Sequence, residues 1–129
     1  MKVIFLDANV LWSAATNPQR PHWQPLTTRP AKADFITSHY ALAEARRNLA
    51  AQDLPELDRI VTRLRLVPDA FGAPPPGVVL PGKDVPILAS AAAARADVLV
   101  TGDQHFGQYF GRTIGGVKIV LPRDLAEEF

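Results

Sequence analysis

The sequence predicts an α/β fold: a central, mostly parallel five-stranded sheet with helices on both faces. Three observations predict it. Val3–Leu6 and Val98–Val100 are continuous apolar runs, too short for helices, which is how strands buried on both faces look. Strand-like and helix-like segments alternate as β-α-β-α-α-β-α-β-α-β, and parallel strands need such crossovers. Both apolar strands run straight into an acid, Asp7 after the first and Asp103 after the second. Ligand sites of open α/β sheets gather at such carboxyl ends.

The elements follow in order. After Val3–Leu6, Asp7-Ala8-Asn9 leads into a short helix that begins at Val10-Leu11-Trp12. The plain reading of Asp7 or Asn9 is a helix N-cap. Residues 17–30 carry Pro18, Pro21, Pro25 and Pro30 and read as a loop, with Trp23 expected to pack back on the core. Residues 35–37 form a short strand, and Ser38 caps a helix expected over 39–52. Leu42, Ala45 and Leu49 form its apolar stripe. Glu44 is turned about 100° from Ala45, at the edge of the buried face. A glutamate there is ordinarily just solvated.

Pro55 starts another helix, 55–64, with Leu57, Ile60, Val61 and Leu64 inward. Leu66-Val67 is a short strand. Residues 68–83 hold five prolines and three glycines and cannot be a regular helix; long loops in compact domains are often functional. This one ends at Asp84, where a helix opens with Pro86 in its first turn, a position that needs no N–H. Val85, Ile87, Leu88 and the alanines Ala91 to Ala94 make that helix slim enough to lie against a sheet. Residues 104–110 are one or two helical turns. Val117–Val120 is the last strand, expected at a sheet edge because Lys118 tolerates water, and 122–129 is a closing helical turn.

Composition sets limits. A chain of 129 residues with 47% apolar content predicts one domain, residues 1–129, with a single core. With no cysteine, disulfides and thiolate metal sites are excluded. The apolar run at the N-terminus is stopped by Asp7, too early for a signal peptide. Nothing later is long enough to span a membrane, so the expected location is the cytoplasm. Net charge is +1, which does not announce a nucleic-acid binder. If four of the 13 acids share one site, however, 14 basic side chains face the nine others, about +5 for the rest of the surface.

Four acids are placed to converge. Asp7 and Asp103 stand just past buried strands, Asp84 opens a helix, and Glu44 lies along a helix edge. If the two strands are neighbours at the topological switch point, Asp7 and Asp103 meet there. The positive end of a helix favours Asp84. Four carboxylates together repel and raise one another's pKa, so the cluster makes sense with a divalent cation. Oxygen donors without cysteine select a hard ion, Mg²⁺ or Mn²⁺. Such an ion, by acidifying water and neutralising phosphate charge, is machinery for cutting a phosphodiester.

At these residues the sequence resembles the PIN-domain ribonucleases. The matching pieces are LDANVL at 6–11, ALAEARRNL at 41–49, KDVPILASAAAARADVLVTGD at 83–103, and the QHF that follows. The third stretch is the most specific. The resemblance covers the whole chain. It implies a PIN-like three-layer α/β/α sandwich and Mg²⁺- or Mn²⁺-dependent cleavage of single-stranded RNA. It carries Asp7, Glu44, Asp84 and Asp103 over as the acidic, metal-holding site, with Asn9 and Thr101 as supporting polar residues. The branch most resembled is that of the toxin components of toxin–antitoxin pairs, which implies an antitoxin partner and a homodimer. Two departures stand out. Many members carry another aspartate shortly after the Asp103 position, where this chain has Gln104 and His105; His105 either supports the site, by binding metal or touching phosphate, or is simply a surface residue. Arg95 stands where relatives often have a helix-ending glycine, a matter of stability.

The first hypothesis is therefore a metal-dependent endoribonuclease using metal-activated water, with Arg46, Arg47 and Lys83 as candidates for the RNA backbone. A phosphotransfer domain, phosphatase-like or receiver-like, fits less well. The former needs a second acid where Asn9 stands. The latter needs a paired acid after the first strand and a lysine beyond a later one, yet Asp7 is single and Lys118 is inside a strand. A catalytically weak or inactive PIN-like module that binds RNA or protein is the alternative that the missing acid permits.

Overall fold

The computed structural model describes all 129 residues, Met1–Phe129. Its sheet is built on β1 (Val3–Leu6), in which Ile4, Phe5 and Leu6 are fully buried. β2 (Asp34–Ser38) and β3 (Arg65–Val67) extend the sheet on one side. β4 (Val98–Val100), β6 (Val117–Val120) and the two-residue β5 (Thr113–Ile114) extend it on the other. The order is β3-β2-β1-β4-β6-β5, parallel throughout except for β5 against β6. The chain thus fills one side of β1 and then returns to the other. That reversal between β1 and β4 is the switch point at which open α/β sheets form a crevice.

Four α-helices flank the sheet: α1 (Ala8–Thr16), α2 (His39–Asn48), α3 (Leu54–Val61) and α4 (Val85–Ala93). α1 packs against α2 and α3, and α4 packs on β2 and β4. Ser38 caps α2 as expected, its Oγ accepting from Ala41 N at 3.1 Å. The end of α4 explains Arg95. Its N–H donates to Ala92 O and that of Ala96 to Ala91 O, while Arg95 sits at φ +56°. That is a Schellman ending with an arginine in the left-handed position that glycine favours.

Besides small shifts of helix ends, with α1 opening at Ala8 rather than Val10 and α3 closing at Val61 rather than residue 64, three expectations change. The sheet has six strands rather than five. Gly115 and Gly116, at φ +60° and +84°, make a two-residue hairpin turn that adds β5; only residues at ease with positive φ close such a turn. For the same reason the Lys118 strand is not an edge strand. Its lysine is accommodated by charge pairing instead, with Nζ 2.9 Å from Glu128 Oε2 while Lys2 holds Oε1 at 3.2 Å. Finally, α2 stops at Asn48 instead of continuing to residue 52: Leu49 turns extended (φ −91°, ψ 143°), and the freed Asn48 O accepts from the Trp12 indole N–H at 3.2 Å. A short 3₁₀ turn, Ala51–Asp53, then leads into α3. Trp23 packs inside as expected, only 2% exposed, within a 3₁₀ turn that orders part of the 17–30 loop.

Candidate metal centre

The register of β1 on β4 pairs Leu6 with Val100, and Asp7 N donates to Val100 O at 3.1 Å. Asp7 and Thr101 therefore leave the sheet side by side. Thr101, fully buried, donates its one hydroxyl proton to Asp7 Oδ2 at 2.8 Å. The same oxygen accepts from Asn9 Nδ2 at 3.2 Å and from Asp103 N at 3.1 Å. A hydroxyl offers one donor and two acceptor sites, and all three are in use. Asn9 Nδ2 also donates to Asp7 Oδ2 at 3.2 Å, and Gly102 N donates to Asn9 Oδ1 at 2.8 Å. The two polar residues thus tie the β1 and β4 ends together and fix Asp7.

Asp7 does cap α1, accepting from Ala8 N at 2.6 Å. The N-cap reading is right but incomplete, since its other oxygen faces Thr101 and Asn9. Asp84 differs from Asp7 in this respect. It stands at the α4 N-cap, yet its carboxylate makes no capping hydrogen bond. Instead its Oδ2 accepts from His105 Nδ1 at 2.9 Å, and the same ring nitrogen lies 3.0 Å from Asp103 Oδ1. Facing two carboxylates, Nδ1 must carry the proton. Asp103 also accepts from His105 N at 2.9 Å, which starts the 3₁₀ turn Gln104–Tyr109. The ligand atoms of Asp84, Asp103 and His105 lie within 4.8 Å of one another.

All four acids line one open cleft of about 270 Å³. Asn9 and Lys83 line it too. Arg46 and Arg47 do not: both are exposed, and Arg46 pairs with Asp58 at 3.3 Å. Four further lining residues carried no site reading from the sequence, Ala8, Ala45, Trp12 and Asn48. Nearby, Tyr40 donates its hydroxyl to Lys83 O at 3.1 Å and steadies the chain just before Asp84. Asn48 and Tyr40 each lie one helical turn from Glu44, and that spacing is the signal by which both can be found.

The electrostatics are those of crowded acids. Burial pushes the Asp7 carboxyl up to about 6 despite its hydrogen bonds from Thr101 and Ala8, and the charges of Asp84 and Glu44 push the same way. Asp84 is also raised, by burial and then by Asp103, with His105 and Lys83 opposing. Tyr40 is raised by burial and by Glu44 and Asp84. Buried like charges are tolerated when a cation joins them. The donor set, carboxylate oxygens with no sulfur, suits a hard divalent ion. The residues present therefore fit such an ion.

No family model and no curated protein matches the chain. Solved structures do. The structure of VapBC2 from Rickettsia felis bound to a DNA fragment from their promoter contains a chain 19% identical, with TM-score 0.66, covering 92% of this chain and 98% of that one. The structure of VapBC-1 from nontypeable Haemophilus influenzae contains one 13% identical, with TM-score 0.57, covering 94% and 98%. At such identities the likeness is one of fold. It shows the PIN-like α/β/α sandwich that the sequence resemblance implied, with one strand more.

Proposed function

We propose that this chain, acting as one domain, is a metal-dependent endoribonuclease that cuts single-stranded RNA. Asp7, Glu44, Asp84 and Asp103 would hold Mg²⁺ or Mn²⁺. The observation that carries the reading is the gathering of these four carboxylates, from three helix starts or edges and a strand end, in one cleft at the β1/β4 switch point. When bound, the ion supplies positive charge toward the phosphate and acidity to the attacking water.

The chain's own residues do the rest. Thr101 and Asn9 hold Asp7 in a single orientation, so its geometry requires no reorganisation when substrate arrives. Lys83 is the cation at the cleft wall and receives the RNA backbone. His105 keeps its N–H between Asp84 and Asp103 and holds the two carboxylates together. The fold likeness to VapBC structures supports a role as the toxin of a type II toxin–antitoxin pair, with an antitoxin as partner. The sequence resemblance adds a homodimer in the cytoplasm. No helix is long and apolar enough to cross a membrane.

The test is cleavage of an end-labelled single-stranded RNA by purified protein with Mn²⁺, beside an identically prepared Asp7→Asn variant. Cleavage by wild type alone supports the reading. Equal cleavage by both that follows the protein's own peak through gel filtration refutes the assignment of Asp7, whereas equal cleavage that separates from it is contamination. Metal-dependent RNA binding without cleavage favours the inactive-module reading instead.

A further inference from the structure

Trp12 stands at the lip of the acidic cleft with 43% of its surface exposed, a large aromatic left in water beside four carboxylates. Its neighbours on α1, Val10 and Leu11, are buried. Its only polar atom is already satisfied, the indole N–H donating to Asn48 O at 3.2 Å. That bond ties α1 to the end of α2 and fixes the ring. What the side chain still offers the cleft is aromatic surface, held rigid in advance.

We infer that Trp12 is a stacking platform for an unpaired base of the substrate strand next to the phosphate being cut. This rests on the nuclease reading above and adds to it the residue that recognises the substrate. Aromatic rings take bases of any identity, since every base has a π-face. Bases inside a duplex are already stacked and cannot be shared. Trp12 therefore selects for strand state and not for sequence. The surroundings favour a base over a protein side chain. An aromatic anchor at a protein interface sits among apolar contacts that exclude water. Here the cleft's only other apolar side chains are the methyl groups of Ala8 and Ala45, the rest are polar or charged, Asn9, Glu44, Asn48 and Lys83 among them, and none of the other exposed large apolar residues lines it. Lys83 supplies the backbone contact that a stacked nucleotide also needs.

The test uses single-stranded octaadenylate and an abasic oligomer of equal length, in Mg²⁺. Both are titrated into the Asp7→Asn variant carrying Trp12, Trp12→Phe or Trp12→Ala. The chain has two tryptophans, and Trp23 is 2% exposed, so quenching of the emission reports Trp12 where it is present, and the anisotropy of a 5′-fluorescein label on each oligomer gives the affinities of all three proteins. The octaadenylate is expected to quench. Its affinity should fall about 5- to 150-fold in Trp12→Ala, the equivalent of roughly 1–3 kcal/mol for one stacked base, and fall little in Trp12→Phe. The abasic oligomer should bind all three alike. Unchanged octaadenylate affinity in Trp12→Ala overturns the inference. An equal loss for the abasic oligomer overturns it too, since the role is then structural. The nuclease reading is judged separately. If wild type cuts RNA and Trp12→Ala cuts it with the same kcat/KM, only the Trp12 assignment falls. If wild type neither binds nor cuts, both fall.

Discussion

Asp7→Asn should make the metal-free protein more stable while removing its activity. The Asp7 carboxyl is 3% exposed and its pKa is pushed from 3.8 to about 6. Holding it ionised at pH 7.5 therefore costs about 3 kcal/mol, at 1.36 kcal/mol per unit. Asparagine removes that cost. It also loses part of the hydrogen bonding, because its amide nitrogen meets the Asn9 Nδ2 that now donates to Asp7 at 3.2 Å. Setting about 1 kcal/mol against the gain leaves a net stabilisation of about 2 kcal/mol, or roughly 4–8 °C in Tm for a chain of this size. The pH dependence gives the sharper test. A carboxyl whose folded pKa lies above its unfolded one adds no penalty below about pH 3.8, and the penalty is complete above about 6. The advantage of the variant should thus be full at pH 7.5 and gone by pH 4. Urea melts of both proteins in EDTA across that range measure it. Saturating Mg²⁺ should reverse the order, since ligand binding stabilises the form that holds it. An advantage independent of pH, or a variant less stable than wild type at pH 7.5, would refute the reasoning.

Three other outcomes follow from the same geometry. Melts with Mg²⁺ or Mn²⁺ at about 100 times Kd should show wild type stabilised by about 2.7 kcal/mol, whereas Asp84→Asn, which breaks the acid set in the cleft, should show much less. Thr101→Val keeps the volume but strips the hydroxyl that Asp7, Asn9 and Asp103 N all use; a loss of about 2–3 kcal/mol in urea melts and about 10- to 100-fold in cleavage is expected. Arg95→Gly relieves an exposed residue at φ +56°, and a gain of about 0.5–1 kcal/mol with unchanged cleavage should appear in the same melts.

The parts of the fold that were legible in the sequence are those written locally. Val3–Leu6 and Val98–Val100 had to be buried on both faces, and from two such strands the parallel sheet and its switch point follow. The three misjudged features depend on distant partners or on one turn. Lys118 argued for an edge strand only while Glu128, ten residues on, was not known to meet it. At the end of α2 the last carbonyl is taken by an indole from α1, 36 residues earlier. β5 was legible in principle, because Gly115-Gly116 between Ile114 and Val117 is a hairpin signal; a two-residue strand offers too little alternation to be seen. Arg95 came from the resemblance, which marked the place where glycine belongs, and the backbone there is left-handed.

The cleft divides in the same way. Its acids could be named because each breaks a local rule: a charge directly after a buried strand, a charge opening an alanine-rich helix, a glutamate beside a buried stripe. Such breaches cluster where function outweighs stability. Asp7, Asp84 and Thr101, three of the buried polar residues, lie together at this one end of the sheet. Trp12, Asn48 and Tyr40 break no rule. Spacing places Asn48 and Tyr40 one helical turn from Glu44, but that Trp12 and Asn48 share the cleft with it depends on how α1, α2 and the segment before α4 converge. The raised pKa of Asp7 shows what the site costs the fold. Without a cation, the fold ties a carboxylate down with three hydrogen-bond donors in a place where its charge is unfavourable. A chain selected for stability alone would place asparagine there, and aspartate makes sense only if the charge is used.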